Sequence, residues 1–105
     1  MTMQFWDIEV HPGQRVKVQI KWYYNLHISQ AVLGESLDGR SDEVVRMYAK
    51  VDGEQREIAI GVLSEDRFPQ VRFDLRFEKD IVLWHTSKTA SVFFCGHRTR
   101  RSKDY

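Results

Sequence analysis

The sequence holds one cysteine and two prolines in 105 residues, and it contains no long apolar run. The single cysteine, Cys95, cannot form a disulfide within the chain, which predicts a reducing compartment such as the cytosol or nucleus. No signal-peptide core and no apolar stretch of membrane length is present, so neither secretion nor a membrane partner is expected. The net charge is only +1, and this balance predicts no direct binding of nucleic acid by the domain.

Helical periodicity is also missing, because no window of helix length repeats its apolar residues every 3.6 positions. Alternation with a period of two takes its place. In Val71–Phe77 the apolar residues all fall on one face of a predicted strand, and the Arg and Asp residues fall on the other. A chain of this length with 42% hydrophobic residues is expected to form one domain around one modest core.

Eight such strands are predicted, at a spacing typical of a β-sandwich or barrel. They are residues 4–10, 15–22, 26–33, 44–51, 55–63, 71–77, 81–86 and 90–97. Alternation predicts that Trp22 and Val62 face the core, and Asp52-Gly53 predicts a tight type I′ hairpin turn. The domain is predicted to span residues 1–98, with 99–105 as a basic tail or the start of a linker.

The strands predicted at 81–86 and 90–97 are apolar on both faces. A small domain has one core, so the second face needs another layer, and a second subunit is the expected one. The sequence therefore predicts a homo-oligomer. The aromatic residues assigned to its interface are Phe5, Trp6, Trp84 and Phe93.

Segments in order over residues 4–97 resemble the nucleoplasmin-like domain, and above all the N-terminal domain of the plant type-2 histone deacetylases. The N-terminal domain of some nuclear immunophilin-type prolyl isomerases is a related case. The segments that carry the resemblance are Phe5–Val10, His27–Gly34, Gly61–Ser64, Phe68–Gln70, Phe73–Leu75, Phe77–Lys79 and Val92–Gly96.

The resemblance implies an eight-stranded jelly roll that assembles into a pentamer, or into two stacked pentamers. It also implies core histones as partners, a role in chromatin regulation, and a nuclear and nucleolar location. The sequence departs from the family pattern at Asp7, where a glycine is usual, and at 22–25, where classical members carry an acidic loop. The long acidic tract that follows the domain in other members does not occur in these 105 residues.

His27 and Asp74 match the histidine and aspartate that the resemblance implies as catalytic in the plant deacetylases. Such a pair can serve as general base and orienting group if it lies within hydrogen-bond reach in a cleft. The residues themselves favour another role, because Asp74 lies between Arg72 and Arg76 on the polar face of its strand, where a cross-strand ion pair is expected. No metal or cofactor is predicted, since the four histidines have no known ligand spacing.

Ten of the fifteen carboxylates lie in predicted loops, where they could attract basic histone tails or simply be solvated. The acids assigned to histone binding are Glu35, Asp38, Asp42, Glu43, Asp52, Glu54, Glu65 and Asp66. Trp22, Tyr23 and Tyr24 form an aromatic cluster that is expected to pack in the core or an interface, with an exposed peptide-binding patch as the alternative.

Three functions are consistent with these patterns. The favoured one is a histone-binding chaperone domain that self-associates within a nuclear, chromatin-associated protein. The alternative is a histone deacetylase that uses His27 and Asp74, although the isolated domain is expected to be non-catalytic. The third is an oligomerisation module whose activity depends on other segments of a longer protein.

Overall fold

The structure, a computed structural model, describes residues 3–36 and 43–101. Eight strands form two four-stranded antiparallel sheets, with the orders β1-β8-β3-β6 and β2-β7-β4-β5. The strands are β1 (Met3–Val10), β2 (Val16–Val18), β3 (Tyr24–Leu33), β4 (Val44–Val51), β5 (Ile58–Ser64), β6 (Gln70–Phe77), β7 (Ile81–His85) and β8 (Val92–Arg100). The predicted eight-stranded jelly roll is confirmed. None of the described residues forms a helix that could cross a membrane.

The core lies between the two sheets and follows the predicted alternation. In β4, Val45, Met47 and Ala49 are fully buried, while the residues between them face outward. The apolar residues of β6 pack against this core from the edge of the other sheet, as predicted. β8 continues to Arg100, two residues beyond the predicted boundary at 98, because Arg100 pairs with Tyr24 of β3.

The second strand is shorter than predicted. The strand expected over 15–22 covers only Val16–Val18, after which the Asp80 carboxylate accepts the Ile20 N–H at 2.7 Å. The chain then turns toward the other sheet, with a Tyr24 N–H bond to the Lys21 carbonyl oxygen. The prediction that Trp22 faces the core is therefore wrong, and its side chain is 77% exposed.

Two predictions for the β4–β5 hairpin are also wrong. The register shifts between Met47 and Tyr48, and this bulge in the pairing directs Val62 outward, where it is 40% exposed. The turn at Asp52-Gly53 has positive φ only at Gly53, with a Glu54 N–H bond to the Val51 carbonyl oxygen. This is the pattern of a type II turn rather than type I′.

The strand register assigns the connections to two opposite ends of a molecule about 50 Å long. The end that we call the Gly34 end carries the β1–β2, β3–β4, β5–β6 and β7–β8 connections. The Gly53 end carries the β2–β3, β4–β5 and β6–β7 connections. Charged loops that are close in sequence therefore lie far apart in space.

A buried polar network secures the β7–β8 connection at the Gly34 end. The Ser87 N–H donates to His85 Nδ1 at 3.1 Å, so His85 is neutral and its Nε2 donates to the Val10 carbonyl oxygen at 2.8 Å. The Ser87 hydroxyl donates to Glu43 at 2.8 Å. Burial lowers the pKa of His85 below 6.5, although the Val10 carbonyl and the Glu43 carboxylate act in the opposite direction.

We expect acid to destabilise the domain through His85. A histidine whose folded pKa is lowered binds its proton preferentially in the unfolded chain, so its contribution is intact above pH 6.5 and is lost as the pH falls below that value. Urea unfolding of each protein at pH 7.5 and at pH 5 measures how much unfolding free energy is lost in acid. This loss should be smaller for His85→Gln than for the wild type. His97→Gln is the matched control, and an unchanged pH dependence in His85→Gln would contradict the prediction.

Candidate functional site

The two residues of the predicted catalytic pair lie together on the outer face of the β1-β8-β3-β6 sheet. His27 on β3 aligns with Arg76 on β6, and His27 Nε2 is 2.8 Å from Asp74 Oδ1. The side chain of Asp74 is 76% exposed, whereas that of His27 is 22% exposed. Strand pairing thus supplies the contact that spacing along the chain could not establish.

The surroundings of the pair favour a structural hydrogen bond over a poised acid–base couple. The hydrogen bond from His27 is the main cause that lowers the pKa of Asp74, and the positive charge of Arg76 adds to it. The His97 ring meets the His27 ring edge to face at 4.7 Å, beside an open cavity of about 310 Å³. Asp74 does not line this cavity, so the pair is not enclosed in a cleft.

Within residues 3–36 and 43–101, no three His, Cys, Asp or Glu side chains converge to form a metal site. The four histidines are divided among separate contacts. His11 lies near Glu9, His27 bonds Asp74 and contacts His97, and His85 is part of the buried network.

The acids assigned to histone binding are divided between the two ends. At the Gly34 end, Glu35 and Glu65 are exposed, while Asp66 accepts a 2.7 Å bond from the Ser64 hydroxyl. Glu43 accepts bonds from both Ser87 and Thr89, which makes it part of the fold rather than a free carboxylate. Asp38 and Asp42 lie outside the described residues.

Asp52 and Glu54 lie at the Gly53 end, beside a cavity of about 150 Å³ that Lys17 and Lys50 also line. These ammonium groups lower the negative potential around the two carboxylates. The eight predicted acids therefore do not form one surface.

Another cavity, which has a volume of about 310 Å³, lies at the Gly34 end. Its lining includes the apolar residues Phe93 and Pro12 and the acidic residues Glu9 and Glu35. The Ser91 hydroxyl donates to Glu9 at 2.7 Å. Glu9 was not among the predicted site residues. Only its pairing with Phe93 across β1 and β8 brings it here, and no local sequence signal reports that pairing.

The aromatic residues assigned to an interface have different surroundings. Phe5 is 73% exposed and Phe93 is 42% exposed on the outer face of their sheet. Trp6 packs against the core. Trp84 is covered by its own chain, with the Arg15 guanidinium 3.8 Å from its ring centroid and Tyr48 stacked at 5.6 Å. The second face of β7 is thus already partly covered without another subunit.

Comparison with known proteins agrees with this architecture. Residues 5–99 match the family model of the nucleoplasmin-like domain. The chain is 50% identical over 99 residues to histone deacetylase HDT2 of Zea mays and 37% identical over 97 residues to histone deacetylase HDT4 of Arabidopsis thaliana. These matches cover 94% and 92% of this chain but only 31% and 47% of the relatives, so the chain spans less than half their length.

Two solved structures share the fold. The Drosophila NLP-core, whose crystal structure is described as giving insight into pentamer formation and histone binding, superposes with a TM-score of 0.79 at 20% identity and covers 92% of this chain and 99% of its own. The nucleoplasmin-like N-terminal domain of Drosophila FKBP39 superposes with a TM-score of 0.70 at 22% identity, covering 98% and 93%. The protein described here is a two-sheet jelly-roll domain, and it belongs to the nucleoplasmin-like domain family.

Proposed function

We propose that this chain is a self-associating, histone-binding chaperone domain of a nuclear, chromatin-associated protein. Membership of the nucleoplasmin-like family and the superposition on the NLP-core support the proposal. The observation that carries it is the cavity at the Gly34 end, where two carboxylates stand beside apolar walls. The partner chemistry that fits is a lysine-rich histone segment.

A closed ring of subunits requires two different surfaces on each subunit, because head-to-tail contacts join unlike patches. This domain has two exposed apolar patches on opposite lateral edges of the sandwich. One is Met3 and Phe5 on the outer face of the edge strand β1, and the other is Val44 and Val62 on the outer face of β4 and the edge strand β5. This placement supports a closed ring, with each β1 patch against the β4–β5 patch of the next subunit, and the likeness to the NLP-core supports five subunits.

The cavity at the Gly34 end suits a lysine side chain. The aliphatic stem can lie along Phe93 and Pro12 while the ammonium group reaches Glu9 or Glu35. A ring repeats this cavity in every subunit, so a basic tail meets several copies and its dissociation is slowed. The exposed charges are screened over about 8 Å at physiological ionic strength, so binding should weaken with salt.

We expect the double substitution Glu9→Gln and Glu35→Gln to weaken binding of a lysine-rich histone-tail peptide by about tenfold or more at low salt, because the one charge-assisted hydrogen bond that is lost is worth about 1.5–3 kcal/mol. The matched control is Asp52→Asn with Glu54→Gln, which removes the same charge at the Gly53 end. Titration calorimetry measures both affinities, and light scattering verifies that the oligomer is unchanged.

A peptide with 2,3-diaminopropionate in place of lysine separates the cavity from general attraction, since it keeps the side-chain amine but shortens the apolar stem. It should be measured at a pH where that amine is protonated. We expect the wild-type domain to bind it more weakly than the lysine peptide. Equal loss in both double variants, or equal affinity for both peptides, would count against the cavity as the lysine site.

Histone deacetylase activity is the second candidate, and the 2.8 Å contact between His27 and Asp74 favours it. With Asp74 accepting from Nε2, the Nδ1 atom of His27 would have to take the proton from the attacking water. The exposure of Asp74 and the open face beside the pair favour a structural hydrogen bond instead. We therefore expect no turnover of an acetylated histone peptide by the purified chain above a buffer control. Turnover that His27→Ala abolishes in an intact oligomer would establish the deacetylase.

A further inference from the structure

An exposed surface at the Gly53 end combines aromatic rings with cationic side chains. It consists of Lys21–Tyr24 and Arg98–Arg101, which we call the aromatic–arginine surface. The two segments are far apart in sequence but adjacent in space, because Tyr24 pairs with Arg100 and the Arg101 N–H donates to the Tyr23 carbonyl oxygen at 2.8 Å. This surface is separate from the cavity at the Gly34 end and from the two lateral patches.

Its aromatic rings stand in contact with one another and with guanidinium groups. Trp22 meets Tyr23 edge to face at 5.4 Å, and Tyr23 meets Tyr24 at 5.0 Å. The guanidinium groups of Arg98 and Arg100 each lie 5.7 Å from a tyrosine ring centroid. Trp22 is nevertheless 77% exposed, so a large apolar ring is held by its neighbours with most of its surface available.

The positive charge of this surface is only partly neutralised. Arg101 pairs with Glu78 at 3.2 Å, and Asp80 is occupied by the Ile20 N–H and by Lys17. Across the described ranges, no carboxylate pairs with Lys21 or Arg100, or with Lys79 in the adjacent β6–β7 turn. The Nε of Arg98 is buried and has no hydrogen-bond partner among the described residues. The local charge is therefore positive although the whole chain is near neutral.

We propose that the aromatic–arginine surface binds single-stranded nucleic acid. An unpaired base stacks on the exposed face of Trp22, and Lys21, Arg100 and Lys79 contact the flanking phosphates. Single strands are bound in this way by other proteins, where rings stack on bases and a positive surface follows the backbone. A duplex keeps its bases paired and stacked, so it can use only the cationic part of the surface. An acidic peptide has no base to stack.

The test uses the whole 105-residue chain and fluorescence anisotropy of labelled oligothymidylate and oligouridylate of about 12 nucleotides, which is within the usual site size for such surfaces. Two polyanions serve as comparisons, an abasic strand of equal length and oligoglutamate. We expect both normal strands to bind about tenfold or more tightly than the abasic strand, because base stacking is the added interaction. Because thymine also carries a methyl group that uracil lacks, oligodeoxyuridylate replaces oligothymidylate when the two sugars are compared.

Trp22→Ala should weaken binding of the normal strands by about tenfold and leave the abasic strand unaffected. Phe68→Ala, which removes an aromatic ring that is 58% exposed at the Gly34 end, is its matched control. Lys21→Gln and Arg100→Gln should each make the negative slope of log affinity against log salt shallower by about 0.7, the value per phosphate contact on single strands. Arg67→Gln and Lys88→Gln at the Gly34 end should change neither the affinity for the normal strands nor the dependence of that affinity on salt.

Normal strands that bind the wild type no more tightly than the abasic strand or oligoglutamate would overturn the proposal. A nucleic-acid affinity that falls with Phe68→Ala as much as with Trp22→Ala would overturn it as well. Circular dichroism and light scattering on each variant verify that the fold and the oligomer are retained, so a loss of binding reports on the surface itself.

Discussion

Replacing Gly96 with alanine is expected to prevent the domain from folding. Gly96 lies on β8 beside β3, and a Cβ atom there would overlap the carbonyl oxygen of His27 and crowd the Cα of Ile28. Both neighbours are backbone atoms, so no side-chain rotation relieves the overlap, and the two strands would have to separate. The β3–β8 pair is central to its sheet, so we expect a loss of more than about 4 kcal/mol, which few single substitutions reach.

Gly61→Ala provides the matched control for this prediction. A Cβ there would meet the Met47 methyl at 3.0 Å and the Phe73 ring at 3.1 Å, both of them ends of side chains that can move. We expect a cost of about 1 kcal/mol, and urea unfolding followed by circular dichroism compares the two variants. A Gly96→Ala protein as stable as Gly61→Ala would contradict the close approach of β3 and β8.

The second large effect is expected at the lateral patches. Phe5→Asp or Val62→Asp should each convert the proposed ring to monomers, because either change would bury an unpaired carboxylate in every subunit contact. Light scattering coupled to size exclusion measures the mass. Trp22→Asp, at an exposed aromatic site in the β2–β3 connection and away from both patches, should retain the oligomer of the wild type.

Mixing the two monomeric variants tests the head-to-tail contact itself. The intact β4–β5 patch of Phe5→Asp can join the intact β1 patch of Val62→Asp, and no further contact is then possible. The mixture should therefore form heterodimers and no larger species. A wild-type monomer, or a mixture that does not associate, would refute this arrangement of patches.

The strand pattern of this protein is predictable because alternation is a local property. Val71–Phe77 shows the correct inward face from sequence alone, since successive side chains of any strand point to opposite sides. The prediction is wrong at Val62, because a single extra residue in the pairing reverses the face and has no reliable local signal. It is wrong at Trp22, because a hydrogen bond from Ile20 to Asp80, distant in sequence, ends the strand.

The candidate sites were harder to predict from the sequence than the strand pattern, because the sites depend on tertiary contacts. The sequence determined that the chain forms one all-β domain with near-zero net charge, since composition and period are summed along the chain. Only the register across β1, β8 and β3 decided that Glu9 stands beside Phe93 and that Arg100 stands beside Tyr24. Glu35 and Asp52 lie at opposite ends of the sandwich because successive connections between strands alternate between the two ends. Contacts between distant segments depend on which strands pair, and strand pairing is a property of the whole core rather than of any one segment.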